Sequence, residues 1–133
     1  MSDNELDKLR LRKAEELLQH QSTGKEIIHI SSNDEFNKLL DDFPDKIIVI
    51  DFWTVWCGPC KMYAPVFKKA HEEFKADFIF TKIDADENPS IAQHFGITTI
   101  PTTVFIKAKQ VVHKFIGVVN YKTLKQILEK LKS

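Results

Sequence analysis

Hydrophobic and polar positions along this chain switch between two periods. In "SSNDEFNKLLDDF", Phe36, Leu39, Leu40 and Phe43 fall at i, i+3, i+4 and i+7. That spacing predicts a helix, capped at its start by a serine or asparagine and stopped by Pro44. "IIVIDFW", Ile47 to Trp53, is a nearly continuous apolar run rich in β-branched side chains and reads as a strand buried on both faces. "DFIFTKID" reads as a second buried strand and "EIIHI" as a shorter one, while "TTVFI" and "VVHKFI" form two more, joined through Lys107–Gln110.

Three further helices complete the pattern. The one after Cys60 turns Tyr63, Val66, Phe67, Ala70 and Phe74 inward and is expected to kink at Pro65. "NPSIAQHF" is short, with Pro89 in its first turn. "NYKTLKQILEKLKS" is amphipathic, with Asn120 as cap and Leu124, Ile127, Leu128 and Leu131 facing inward. Strand–helix alternation followed by a hairpin predicts an α/β fold: a central mixed sheet, parallel in its first part, flanked by helices. The hairpin carries Lys107-Ala108-Lys109 in place of Asn-Gly or Asp-Gly. Without residues that readily take positive φ, a loose loop is expected there.

Residues 1–24 stand apart from this alternation. A charge-rich helix is expected over residues 3–20, with Leu6, Leu9, Leu11, Ala14, Leu17 and Leu18 as a loose apolar stripe, and "HQSTGK" reads as a linker. The compact domain is expected to occupy residues 25–133. Lys8, Arg10, Arg12 and Lys13 cluster within the extension, but Asp3, Glu5, Asp7, Glu15 and Glu16 flank them, which reads as a solvated surface.

Charge narrows the function. With 19 basic and 19 acidic residues among 133, the chain lacks a global electrostatic footprint for nucleic acid or an anionic membrane. No apolar stretch approaches the ~18 residues that span a bilayer, and the N-terminus has no apolar core of the secretory kind. A cytoplasmic, monomeric protein is the expectation. Cys57 and Cys60 are the only cysteines, so a multi-bridge secreted framework is excluded, and a lone Cys-x-x-Cys in a reducing compartment points to catalysis or metal binding.

The candidate chemistry concentrates between residues 51 and 60. Asp51 interrupts a buried strand, where an unpaired carboxylate costs several kcal/mol or stays protonated. Cys57-Gly58-Pro59-Cys60 lies where that strand gives way to a helix, whose free N–H groups and dipole favour a thiolate. Cys57, ahead of Gly58, is placed as the exposed nucleophile, and Cys60, one turn further in, as its shielded partner. Pro59 fixes φ in the turn, and Gly58 admits a partner backbone. Two other readings stand beside this one. A zinc half-site would need further ligands from His20, His29, His71, His94 and His113, which form no His-x(3–5)-His pair. Inert core cysteines have no need of Gly-Pro between them.

"DFWTVWCGPCKMYAP" resembles the thioredoxin family, and the resemblance covers about residues 25–133. It extends to "KIDADENP", "FGITTIPTTVFI" and Gly117, which fall where the family pattern places them. The resemblance implies a thioredoxin fold and protein-disulfide reductase activity through a redox disulfide between Cys57 and Cys60. It implies that Asp51 exchanges a proton with Cys60 through a water and that Lys82 is the charge partner of Asp51. It also implies that Pro101 follows a cis peptide bond facing the cysteines. Trp56, Gly58, Pro59, Ile100, Pro101 and Gly117 would then form an apolar contact surface for disulfide-containing client proteins. An NADPH-dependent thioredoxin reductase would regenerate the dithiol. No bound cofactor or metal is implied, since the chain has no Gly-rich dinucleotide loop.

Thr54 stands where the family usually has alanine, and the extension departs further from the pattern. An oxidase or isomerase is a competing reading, although such relatives usually carry His where this chain has Pro59. A non-catalytic binding module on the same fold is another.

Overall fold

The computed structural model describes residues 26–132. In chain order the elements are β1 (Ile28–Ile30), α1 (Asn33–Asp42), β2 (Ile47–Trp53), α2 (Gly58–Phe74), β3 (Phe78–Asp84), α3 (Pro89–His94), β4 (Thr102–Lys107), β5 (Gln110–Ile116) and α4 (Tyr121–Lys132). The helix expected over residues 3–20 lies outside the described residues.

The strands form one sheet in the order β1-β3-β2-β4-β5. β3 runs parallel to β1 and to β2, whereas β4 is antiparallel to β2 and to β5. This is the mixed sheet expected from the element order: helical crossovers join the parallel strands, and a short turn joins the antiparallel pair.

Period-two alternation divides the core between two faces. Ile48, Ile50 and Phe52 of β2 and Ile79 and Ile83 of β3 pack with Phe36 and Leu39 of α1 and Ile91 of α3. Val49, Phe78, Phe80 and Phe105 pack on the other face with Tyr63, Phe67, Ala70 and Phe74 of α2 and Leu124 and Leu128 of α4. Phe80 is fully buried and its ring meets Phe67 edge to face at 5.4 Å. Truncating such a side chain to alanine costs about 3–5 kcal/mol.

Helix ends follow local chemistry. Ser32 caps α1 by accepting the Glu35 N–H at 3.1 Å, and the Glu35 carboxylate accepts the Ser31 N–H at 2.8 Å. These two bonds, to Ser32 and from Ser31, satisfy two donors that would otherwise be free, and the cap is worth about 1 kcal/mol. Asn120 plays the same part for α4, accepting the Thr123 N–H at 2.9 Å. The α2 helix carries Pro65 without ending.

The β4–β5 connection differs from the sequence expectation. Lys107 pairs directly with Gln110, leaving a two-residue turn in which Ala108 (φ 50°) and Lys109 (φ 65°) are both left-handed. The twist of an antiparallel pair favours this turn geometry whatever residues occupy it. Strand pairing therefore holds two unfavourable residues in place, and Lys109 reaches Asp41 of α1 at 2.9 Å.

Candidate active site

The site forms at the C-terminal end of β2, where the chain leaves the sheet and enters α2. Cys57 is the N-cap residue of α2, and its Sγ accepts the Cys60 N–H at 3.2 Å. The two cysteines form a disulfide, with Cα atoms 5.3 Å apart. Both are nearly covered, at 6% and 4% exposure, so Cys57 is less exposed than its place in the sequence suggests. The cap geometry accounts for this, since it turns Cys57 Sγ back over the first turn of the helix. The asymmetry between the cysteines lies in their neighbours: the Ile100 carbonyl oxygen approaches Cys57 Sγ at 3.9 Å.

That carbonyl belongs to the loop ahead of β4, where the Ile100–Pro101 peptide bond is cis. Gly117, at φ 93°, donates its N–H to the Pro101 carbonyl at 2.8 Å. A side chain is strained at such a φ, so glycine suits the point where the end of β5 meets this loop.

Asp51 lies inside the sheet. Alternation along β2 sends Asp51 to the same face as Val49, towards α2, and alternation along β3 does the same for Phe78, Phe80 and Lys82. The parallel register sets Asp51 opposite Lys82, and on the other flank Asp51 faces Thr103 of β4. Lys82 Nζ lies 3.7 Å from the Asp51 carboxylate, an ion pair too long to be a hydrogen bond. Neither Asp51 oxygen has a hydrogen-bond partner, and the residue is 1% exposed. Burial pushes the Asp51 carboxyl up from 3.8 to about 6, and the Lys82 charge restrains the rise. Tyr63 of α2 packs on the same sheet face and accepts the Thr103 hydroxyl at 3.0 Å. Burial pushes its phenol above the ordinary range, with a contribution from the Asp51 charge and against the Thr103 hydrogen bond. Lys82 also sits over the Trp53 ring, 5.2 Å from its centroid, a cation–π contact beside its pairing with Asp51.

Trp56 is 71% exposed beside the disulfide, and its indole N–H donates to Asp86 at 2.7 Å. The Asp84 carboxylate accepts the Asp86 and Glu87 N–H groups, folding the loop after β3 so that Asp86 reaches the indole. The sequence points to Trp56 but not to Asp86. The two are 30 positions apart, and no local pattern joins them. Val55 and Met62, 61% and 70% exposed, lie close to Trp56 and Cys60 in the chain, and no sequence signal singles them out. Thr54 lines a groove with Trp56, Asp86, Ile97, Thr98 and Ile100. Its hydroxyl is buried without a hydrogen-bond partner. Among the described residues, no three His, Cys, Asp or Glu side chains group to hold a metal ion.

A strand-to-helix Cys-Gly-Pro-Cys disulfide, facing a cis-proline loop and following a strand that carries a buried aspartate, defines a thiol–disulfide oxidoreductase site. The family model for thioredoxin matches residues 27–130. A thioredoxin of Arabidopsis thaliana is 44% identical over 94 residues, covering 69% of this chain and 79% of its own. A thioredoxin of Malassezia sympodialis is 46% identical over 89 residues, 66% and 83% of the two chains. A crystal structure of Malassezia sympodialis thioredoxin superposes with a TM-score of 0.74 at 38% identity, covering 81% of this chain and 92% of that one. A crystal structure of Schistosoma mansoni thioredoxin gives 0.73 at 31%, covering 81% and 97%.

The chain belongs to the thioredoxin family. It is a protein-disulfide reductase that works by dithiol–disulfide exchange through Cys57 and Cys60. Members of this family act on disulfide-containing substrates and are re-reduced by thioredoxin reductase. Among the described residues, no helix is long and apolar enough to cross a membrane.

Proposed function

We propose that this chain is a general reductase of cytoplasmic protein disulfides, in which Asp51 manages the proton of Cys60. The observation that carries this reading is the buried Asp51 carboxyl, without a hydrogen-bond partner and pushed up by burial to about 6. The Cys57 thiolate, favoured by the N-terminus of α2, attacks one sulfur of a client disulfide. The client bond breaks, and a mixed disulfide forms as the other client sulfur leaves as a thiolate. Cys60 then gives its proton to Asp51 and attacks Cys57 Sγ, which releases the second client thiolate. Two electrons pass to the client, and the Cys57–Cys60 disulfide remains. Lys82 limits how far burial raises Asp51, leaving enough carboxylate to accept a proton at neutral pH.

Trp56, Gly58, Pro59, Ile100, Pro101 and Gly117 form the surface on which an extended client segment lies, with the Ile100 backbone beside the reacting sulfur. An NADPH-dependent thioredoxin reductase regenerates the dithiol, and no bound cofactor takes part.

The assay is trapping. Cys60→Ser should accumulate mixed disulfides with protein clients through Cys57, and Cys57→Ser should accumulate none. Traps forming equally on either cysteine would reject the assignment of nucleophile and resolver. A reduction potential at or above that of isomerases would reject a reductase, since each ~30 mV is about tenfold in equilibrium constant for a two-electron couple.

A further inference from the structure

The α2 face of the sheet is mostly apolar, yet a row of polar side chains crosses it. Strand register places Lys82 of β3, Asp51 of β2 and Thr103 of β4 side by side. The row ends at Tyr63 of α2, whose hydroxyl meets that of Thr103 at 3.0 Å. Asp51, Thr103 and Tyr63 are all buried, at 1%, 0% and 0% exposure. A phenylalanine would fill the Tyr63 site without the cost of burying a hydroxyl, so the reason for a phenol lies in its hydrogen bonds. Two hydroxyls that share one hydrogen bond leave one hydrogen over. Thr103 donates, so the spare hydrogen is that of Tyr63. In the same row, both Asp51 oxygens are buried acceptors without a hydrogen-bond partner. A spare donor and spare acceptors are seldom left unmatched side by side in a folded protein.

We propose that Tyr63 is a positioning residue for the reductase reaction: anchored by Thr103, its phenolic hydrogen supports the Asp51 carboxylate, across one bridging water, while Cys60 gives up its proton. This role rests on the reading of Asp51 as the acceptor of that proton. Cys60 and Tyr63 are both buried on α2, three positions apart. That spacing sets them on one side of the helix, and the packing of Tyr63 shows that this side faces the sheet. A water here has the polar partners that hold one in an interior: the phenol, an Asp51 oxygen and the Cys60 thiol. In the step itself the Cys60 S–H bond breaks, its electron pair stays on sulfur, and an Asp51 O–H bond forms. The water takes up one proton and passes one on. Tyr63 keeps its own proton throughout, because burial, aided by the Asp51 charge, holds the phenol above its ordinary range. Lys82 supports the carboxylate from β3, β4 contributes the neutral Thr103, and α4 contributes the apolar Leu124 and Leu128. From β5 the Phe115 ring meets Tyr63 edge to face at 6.2 Å. The histidines on this face, His71 of α2 and His113 of β5, meet the rings of Phe80 and Phe105, each at 5.4 Å.

The test uses the oxidised full chain, in which no thiol titrates, with aspartate carboxyl carbons labelled with ¹³C for NMR. The Asp51 signal, assigned by its loss in Asp51→Asn, should titrate about one pH unit higher in Tyr63→Phe than in the parent. That shift is about a tenfold gain in proton affinity, as expected when a hydrogen bond to the charged form is lost. Thr103→Val removes the anchor of the phenol and should move the midpoint the same way by less, whereas Thr103→Ser keeps the hydroxyl and should restore the parent value. Release of reduced client from a mixed disulfide, followed by stopped flow, should shift its pH profile upward in step. Below the midpoint, Tyr63→Phe should then release client about tenfold more slowly than the parent. A purely structural Tyr63 would change the urea midpoint without moving either titration, and that outcome would overturn the proposal, as would a downward shift. Should Tyr63→Phe fail to fold, the two Thr103 variants decide by the same readout. An unmoved carboxyl overturns the role of Tyr63 and leaves that of Asp51 standing. A carboxyl that moves while the release profile does not overturns the proton role of Asp51, and with it this one.

Discussion

Replacing Asp51 with asparagine tests the physical argument at its centre. Moving a carboxyl from 3.8 to about 6 by burial costs the fold about 3 kcal/mol once the group is ionised, at about 1.4 kcal/mol per pH unit. Below pH 3.8 both folded and unfolded chains hold the proton, and the carboxyl carries no ionisation penalty. As pH rises from there, the unfolded chain ionises first, so the fold loses stability, and the loss is complete above about pH 6. An asparagine side chain cannot ionise. The stability of Asp51→Asn relative to the parent should therefore rise by about 2–3 kcal/mol between pH 4 and pH 8. Taking the difference across pH removes constant effects, such as an amide left without hydrogen bonds, and the attraction of Lys82 for the ionised carboxylate is already contained in the value of about 6. Urea unfolding of the oxidised proteins, in steps of about one pH unit between those limits, provides the measurement. With a slope of about 2 kcal/mol/M, the gap between midpoints should change by about 1–1.5 M. A gap that stays flat, or moves in favour of the parent as pH rises, would refute the raised carboxyl and the proton role built on it. The same variant should slow release of reduced client, with the pH dependence near 6 removed.

Three other outcomes follow from single contacts. Thr54→Val replaces a buried hydroxyl that has no partner with a methyl group and should raise stability by about 1 kcal/mol, read as a later urea midpoint. Ala108→Gly relieves a left-handed φ of 50° and should stabilise by about 1 kcal/mol, whereas Ala108→Val should destabilise. Asp86→Asn weakens the hold on the Trp56 indole. It should lower kcat/KM for a protein disulfide about threefold to tenfold, as expected for a charge-assisted hydrogen bond near the surface, and leave reduction of a small disulfide nearly unchanged.

Particular residues show how much is legible in advance. Asp51 is conspicuous because a carboxylate inside "IIVIDFW" contradicts its surroundings. Lys82 comes from the family resemblance, and alternation in "FIFTKID", which turns a lysine inward behind two phenylalanines, agrees with it. The Asp86 bond to Trp56 leaves no trace, since it depends on a loop folded by Asp84 after a separate strand. At the hairpin, local propensity points to a loose loop, and strand twist imposes a tight turn against it. The covering of Cys57 is likewise hidden, because it arises from the rotation of a cap residue and not from its position in the chain.

Periodicity, capping residues and apolar runs act over neighbouring positions. They were enough to specify the elements, the two-sided core and a Cys-x-x-Cys pair at a strand-to-helix junction. The parallel register that sets Asp51 opposite Lys82, and with it how far burial raises the carboxyl, came only with the assembled sheet. So did the approach of Ile100 to Cys57 and the tight turn at Ala108 and Lys109. The register and the Ile100 approach depend on the distance between segments remote in the chain, and the turn on the twist of the two strands it joins, and only the assembled sheet supplies these.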